Sequence, residues 1–315
     1  MDTRQLRSFV QIVESGSLSK AARQLFVVQP ALSQQMARLE QEVGKPLLIR
    51  SARGVVPTDN GQALYQHAKF VLRQIDDAVL IARQDFSTLR GRVAVGLAPS
   101  TSCMLGLPLL RRLQARFPGL LPNLVVAIPD HLEERARQGQ LDVAILFSRT
   151  AASELACEAL LHEEAFVMLP RDSTLVAPER DSLRLAELAA LPLVLSSANQ
   201  NLRRRVMLEF ERAGLKARVA AEIDSLELMM RHVLEGGGAT LQPMAAARAV
   251  GPPERWRSLS VADVQIRRTN YLCALPVQKL SAGAAAVRQE LKQLVQQLLD
   301  DGTWQGVQAI TAADA

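Results

Sequence analysis

The chain has 315 residues, enough for two or three domains, and is 48% apolar and 22% charged, an ordinary globular balance. Residues 1–58 hold eight Lys/Arg against four Asp/Glu, whereas the whole chain has 37 against 32, so most of the net charge of +5 lies in the first fifth. This excludes a uniformly basic scaffold and points to a phosphate footprint at one end.

The first predicted element is a helix over Thr3–Ser15, where Leu6, Phe9, Val10 and Val13 fall at i, i+3, i+4 and i+7 and Gly16 stops it. Ser17 and Ser19 are both candidate caps for a short second helix with Ala21, Ala22 and Leu25 on its apolar side. Gln29-Pro30 opens a third helix, with proline where its missing N–H costs nothing. Leu32, Met36, Leu39 and Val43 form its buried stripe. Pro30, Ser33, Gln34, Arg38 and Gln41 lie opposite. The pair reads as a helix-turn-helix over 18–37 or, on pattern alone, as a plain helical hairpin. The stretch that follows favours the first reading. Pro46 to Gly61 (PLLIRSARGVVPTDNG) predicts a two-stranded wing with Arg50 and Arg53 at its tip, suited to phosphates or the minor groove.

A long helix is expected from Thr58 to about Leu89, with Leu64, Ala68, Val71, Ile75, Ala78, Ala82, Phe86 and Leu89 forming a seam at near-heptad spacing. Its simplest partner is the same helix of a second subunit; the alternative is its own C-terminal domain. From Gly91 strands alternate with helices: Arg92–Ala98, Leu124–Ile128 and Leu141–Phe147 predict a parallel sheet covered on both faces. Further strands are expected at Glu164–Leu169, Leu191–Ser197, Arg218–Asp224 and Ile266–Pro276, then a helix over Ala284–Leu299 and a frayed tail. Crossovers near Leu160 and Arg267 divide this half into two subdomains with a cleft between them. The expected domains are therefore 1–58, the linker helix 59–90, an effector half over 91–300 (subdomain I 91–160 and 267–300, subdomain II 161–266) and a tail over 301–315.

Cys103, Cys157 and Cys273 are far apart and outside any CxxC pattern, so they are expected as buried structural thiols, with neither a disulfide framework nor a zinc site. No apolar run approaches a membrane span and no signal-peptide layout is visible, so no membrane partner and a cytoplasmic location are expected. No P-loop, GxGxxG, G-x-S-x-G or HExxH is present, so neither an enzyme nor a cofactor is expected.

The amino-terminal segments LRSFVQIVESGSLSKAARQLFVVQPALSQQMARLEQEVGKPLLIR and RSARGVVPTDNGQALY resemble the DNA-binding domain of LysR-type transcriptional regulators, in the family's order. The Leu141–Ala144 stretch and the Gly236–Gly238 to Pro243 segment are also similar to family landmarks. Gln34 and Gln35 stand where the family commonly has a basic residue. Pro57-Thr58 and Gln66-His67-Ala68 resemble the branch that includes the nitrogen assimilation control protein.

The resemblance implies an α/β protein built from a winged helix-turn-helix, a linker helix and a periplasmic-binding-protein-like effector domain of two subdomains. It implies double-stranded DNA, a small-molecule effector and further copies of the chain as partners, as a dimer through 59–90 and a tetramer, with RNA polymerase contacted on the DNA. Ser33 and Gln34 become candidates for base edges, at least one of Gln29, Ser33 and Gln34 for base or phosphate contact, Pro30 for the DNA-binding face, and Arg38, Arg50 and Arg53 for phosphate or minor groove. For the effector, Ser100, Thr101 and Ser102 open a helix after a strand, where N–H groups suit an anion or simply form a cap. Ser197, Asn199 and Gln200 lie on the loop opposite, and Arg149 is a candidate counter-charge. A solute-binding protein of the same two-subdomain build is the alternative, though it lacks a use for the basic helical head.

Overall fold

Asp2 opens the first helix with a reciprocal pair: its carboxylate accepts from the Gln5 N–H at 2.7 Å, and Gln5 Oε1 accepts from the Asp2 N–H at 2.8 Å. The computed structural model describes residues 1–51, 54–83, 89–149, 155–197, 201–276 and 280–310. The chain divides into two units, one reaching through the long helix and the other beginning with the strand after it.

The first unit contains α1 (Thr3–Ser15), α2 (Leu18–Gln24), α3 (Gln29–Val43), the antiparallel pair β1 (Leu48–Ser51) and β2 (Gly54–Pro57), and α4 (Asp59–Arg83). Its core is the apolar spacing made solid: Phe9 and Ile12 of α1, Ala21 and Ala22 of α2, and Leu32, Met36 and Leu39 of α3 are buried together with Leu47 and Val55. Ser17 caps α2, accepting from the Lys20 N–H, whereas the Ser19 hydroxyl turns to Gln29. The wing is fastened at its root, where Glu40 Oε1 accepts from the N–H groups of Leu47 and Leu48 at 2.8 and 3.1 Å. Two glycines let backbone pass backbone: a Cβ at Gly54 would meet the Gly16 carbonyl at 2.6 Å, and one at Gly61 would meet the Leu47 carbonyl at 1.9 Å. Thr58 caps α4, its hydroxyl accepting from the Gly61 N–H at 3.0 Å. The beginning of the expected seam is already covered within this unit, since Leu64, Ala68, Val71 and Leu72 pack on Leu6 and Val10 of α1. Ala78, Ala82 and Phe86 lie outside the described side chains.

The second unit is built on a mixed sheet, not a purely parallel one. β3 (Gly91–Leu97) pairs in parallel with β4 (Leu120–Val126) and β5 (Val143–Leu146), as strand–helix–strand connections through α5 (Pro99–Arg116) and α6 (Pro129–Arg137) require. Beyond β5 the pairing turns antiparallel. β12 (Arg267–Ala274) lies between β5 and β6 (Ala156–Pro170), and β10 (Thr240–Pro243) and β11 (Trp256–Val261) pair with the far half of β6. β6 is 15 residues long, not the six expected, because Glu158 and Glu163 interrupt the apolar residues of its first half and break the hydropathy pattern. Those polar groups are consumed by ion pairs: Glu158 with Arg288 and Lys292 of α10 (Ala282–Asp300), and Glu163 with Arg268. β6 also carries the chain from one core to another. Leu161 packs with Val95, Leu105, Leu272 and Leu291, whereas Val167 and Leu169 pack with Leu193, Phe210 and Leu241. The second core is completed by β7 (Ser182–Leu183), α7 (Leu185–Ala190), β8 (Leu193–Leu195), α8 (Asn201–Arg212) and β9 (Val219–Glu222), while α9 (Leu226–Leu234) packs in a separate cluster with Met168, Val194 and Trp256.

Two further expectations are corrected. The tail is not frayed through residue 310: Trp304 is buried in the first core and β13 (Val307–Ala309) pairs with β6. Cys157 and Cys273 are not separate thiols but a disulfide, because the antiparallel register of β6 and β12 sets them directly opposite. A separation of 116 residues concealed that neighbourhood. Cys103 remains a free thiol. Among the described residues no helix is long and apolar enough to cross a membrane.

Candidate nucleic-acid interface and ligand cleft

α3 starts on Val28, which supplies no side-chain cap, so the N–H groups of its first turn are left to outside acceptors. Gln29, Pro30 and Gln34 are exposed, Ser33 is half-buried, and Arg38 is exposed one turn further on. The wing is tied to this face, because Arg50 Nη1 donates to the Ser33 hydroxyl at 2.8 Å. The Ser19 hydroxyl donates to Gln29 Oε1 at 2.8 Å and so joins α2 to the start of α3, leaving the Gln29 amide hydrogens outward. Gln35 is drawn inward, its Oε1 accepting from Ser8 at 2.9 Å. The structure therefore brings Gln29, Ser33, Gln34 and Arg50 to one polar face; Arg53 lies outside the described residues. No Asp or Glu falls between residues 15 and 39, so no carboxylate opposes an approaching phosphate there.

The second site is a cleft in the effector unit, lined by Ser100, Phe147, Ser196, Asp224, Gln242 and Arg268 among others. α5 begins at Pro99 without a side-chain cap, so the amides of its first turn open toward this space. Ser100 and Thr101 are buried, and the Thr101 hydroxyl has no partner; the Ser102 hydroxyl is spent on the Pro99 carbonyl at 2.8 Å. Ser196 lines the cleft, while the neighbouring Ser197 N–H donates to Asp224 at 2.9 Å. Asn199 and Gln200 lie outside the described residues, and Arg149 is exposed on the turn after β5.

The cation of the cleft is Arg268, which sequence reasoning missed. Its Nε and Nη2 donate to Glu163 Oε2 at 2.8 and 2.6 Å, Nη2 also donates to the Ser100 hydroxyl at 2.8 Å, and the guanidinium stacks on Phe147 at 3.7 Å. Glu163 is 1% exposed and also accepts from the Trp304 indole at 3.3 Å. A charged pair in one strand register, Arg268↔Glu163, is invisible without the pairing of β12 on β6.

Comparison with known proteins bears on both sites. The sequence model of the bacterial regulatory helix-turn-helix protein, lysR family, matches residues 3–62, and that of the LysR substrate binding domain matches residues 87–296. The nitrogen assimilation regulatory protein nac of Klebsiella aerogenes is 35% identical over 94% of this chain and 95% of its own length. Its counterpart in Escherichia coli K12 is 34% identical over 97% and 99%. Among solved structures, a full-length single-residue variant of OxyR from Pseudomonas aeruginosa superposes with a TM-score of 0.71 at 21% identity, covering 94% of this chain and 95% of that one. CbnR complexed with its target DNA gives 0.64 at 21% identity, covering 93% and 100%. At that identity the structures attest the fold, while the two family matches span most of the sequence. The chain thus belongs to the LysR family of transcriptional regulators and is not an enzyme.

Proposed function

We propose that this regulator binds partly symmetric duplex sites as a dimer joined through the linker helix of residues 59–90, with a tetramer formed through the effector halves. α3 enters the major groove, Gln29, Pro30, Ser33 and Gln34 meet base edges, and Arg38, Arg50 and Arg53 hold phosphate or the minor groove. The observation that carries this reading is the Arg50–Ser33 hydrogen bond, which ties the wing to the polar face of α3. CbnR has been solved on its target DNA, which supports the same docking for a chain of this fold. RNA polymerase contact is part of the proposal, since a bound regulator that bends its site repositions neighbouring factors.

Effector binding is assigned to the cleft. The Ser100 hydroxyl, the first-turn amides of α5 and Arg268 Nη1 offer donors to a small ligand with an oxyanion, such as a carboxylate. Glu163 and Asp224 oppose net anion capture, so the donor geometry and not bulk charge selects the ligand. A second reading has its own support. Arg268 is already satisfied by Glu163, which suits a regulator less dependent on an inducer.

The test is selection of duplexes from a random-sequence library by the full chain, followed by binding of variants. Gln34→Ala is expected to lose about 1–3 kcal/mol of discrimination at one base pair. Failure to enrich any duplex over random competitor would refute the DNA reading. A panel of small carboxylates that leaves the melting temperature unmoved, together with unaltered regulation in Ser100→Ala, would favour the inducer-independent reading.

A further inference from the structure

We propose that Phe26, in the turn between α2 and α3, is a DNA-reading side chain that packs on the 5-methyl group of a thymine beside the bases met by α3; this rests on α3 being the groove-docking helix. α2 ends in a Schellman turn: the Val27 N–H donates to the Ala22 carbonyl at 3.0 Å and the Phe26 N–H to that of Arg23 at 3.2 Å. Phe26 thereby occupies the left-handed position, at φ 56°, and it is the sole non-glycine residue with positive φ among the described residues. The same domain uses glycine where α1 and α3 end, at Gly16 (φ 63°) and Gly44 (φ 73°). A bulky aromatic at such a position is disfavoured sterically, and here packing does not compensate, because Phe26 is 95% exposed. Two local penalties at one residue, with no return inside the fold, mark a group kept for an outside contact.

Three features identify that contact as duplex DNA. Phe26 is three residues before Gln29, and the Ser19–Gln29 hydrogen bond ties the ends of the turn together, so Phe26 travels with the tip of α3. The surrounding charges, Lys20 and Arg23, are positive and no carboxylate lies between residues 15 and 39, which suits a polyanion. Val28, also exposed, extends the apolar surface toward Pro30. In the major groove the thymine methyl is the apolar group on offer.

Phe26→Gly and Phe26→Asn both suit φ > 0, so each is expected to keep or raise the melting temperature of the full chain while weakening binding. On a duplex selected from a random library by the unmodified chain, affinity should fall about tenfold. The slope of log affinity on log salt should stay unchanged, because no phosphate contact is lost. Replacing each thymine of that duplex in turn by deoxyuridine should weaken the unmodified chain at one position and leave Phe26→Gly indifferent there. Unchanged affinity in both variants, or a loss that tracks a lowered melting temperature, overturns the proposal. Weakened variants with no deoxyuridine-sensitive position overturn the thymine assignment. A change in oligomeric state with DNA affinity retained would assign Phe26 to a protein contact and overturn it too. If the unmodified chain enriches no duplex, it is the docking of α3 itself that has failed, an outcome distinct from all of these.

Discussion

Arg268→Met is the sharpest probe of the effector unit. It removes a guanidinium that is 7% exposed from a carboxylate that is 1% exposed, across 2.6 Å. At an effective dielectric of about 20 that pair is worth about 6 kcal/mol of attraction, from which the desolvation of both ions must be taken. What the variant measures is larger than the net value of the pair, because Glu163 is left charged, buried and held by the Trp304 indole alone. Removing one partner of such a pair costs about 3–5 kcal/mol. At about 2–4 °C per kcal/mol for a unit of this size, the effector transition should drop by about 6–20 °C. The double variant Arg268→Met/Glu163→Met removes both charges and leaves the Trp304 N–H without its acceptor, so it should lie only about 1–3 kcal/mol below the unmodified chain. Urea unfolding and calorimetry at one fixed protein concentration read both quantities, so that any linked equilibrium is held constant between variants. A loss under about 1 kcal/mol in Arg268→Met, or a double variant as unstable as the sum of the singles, would refute the reasoning.

Other outcomes follow from the same geometry. Arg50→Ala should reduce the slope of log affinity on log salt by about one, and an unchanged slope would remove Arg50 from the phosphate contacts. Alkylation of the denatured chain without reductant should modify one cysteine, Cys103, and with reductant all three, as counted by intact mass; three without reductant would exclude the Cys157–Cys273 bond. In the folded chain Cys103 should react slowly at neutral pH, since burial pushes its thiol above the ordinary value. Glu133 has its carboxyl raised by burial and by nearby Asp130. The folded state then binds that proton more tightly than the unfolded one, so the penalty is present above the folded pKa and disappears as pH falls below the unfolded value. Glu133→Gln should therefore raise the melting temperature at pH 7 and make no difference near pH 4, and a gain independent of pH would refute the assignment.

What one sequence determined by itself is local. The spacing of Leu6, Phe9, Leu32, Met36 and Leu39, the cap at Ser17, the proline at the head of α3 and the glycines that end α1 and α3 specify the helical head, because each acts within one or two turns of chain. The parallel strands β3 and β5 were legible for the same reason, being continuous apolar runs. β6 was not, because Glu158 and Glu163 break its apolar run and the partner of its first half, β12, is more than a hundred residues away. Partners of that kind were decided only by the tertiary structure. The antiparallel register of β6 with β12 joins Cys157 to Cys273 and sets Arg268 against Glu163, placing the cleft's cation where no motif could. Trp304 is buried only because the tail returns to that same strand. Charge pairing and cross-strand contact depend on distance in space, which sequence spacing does not encode beyond the reach of a helix turn or a hairpin.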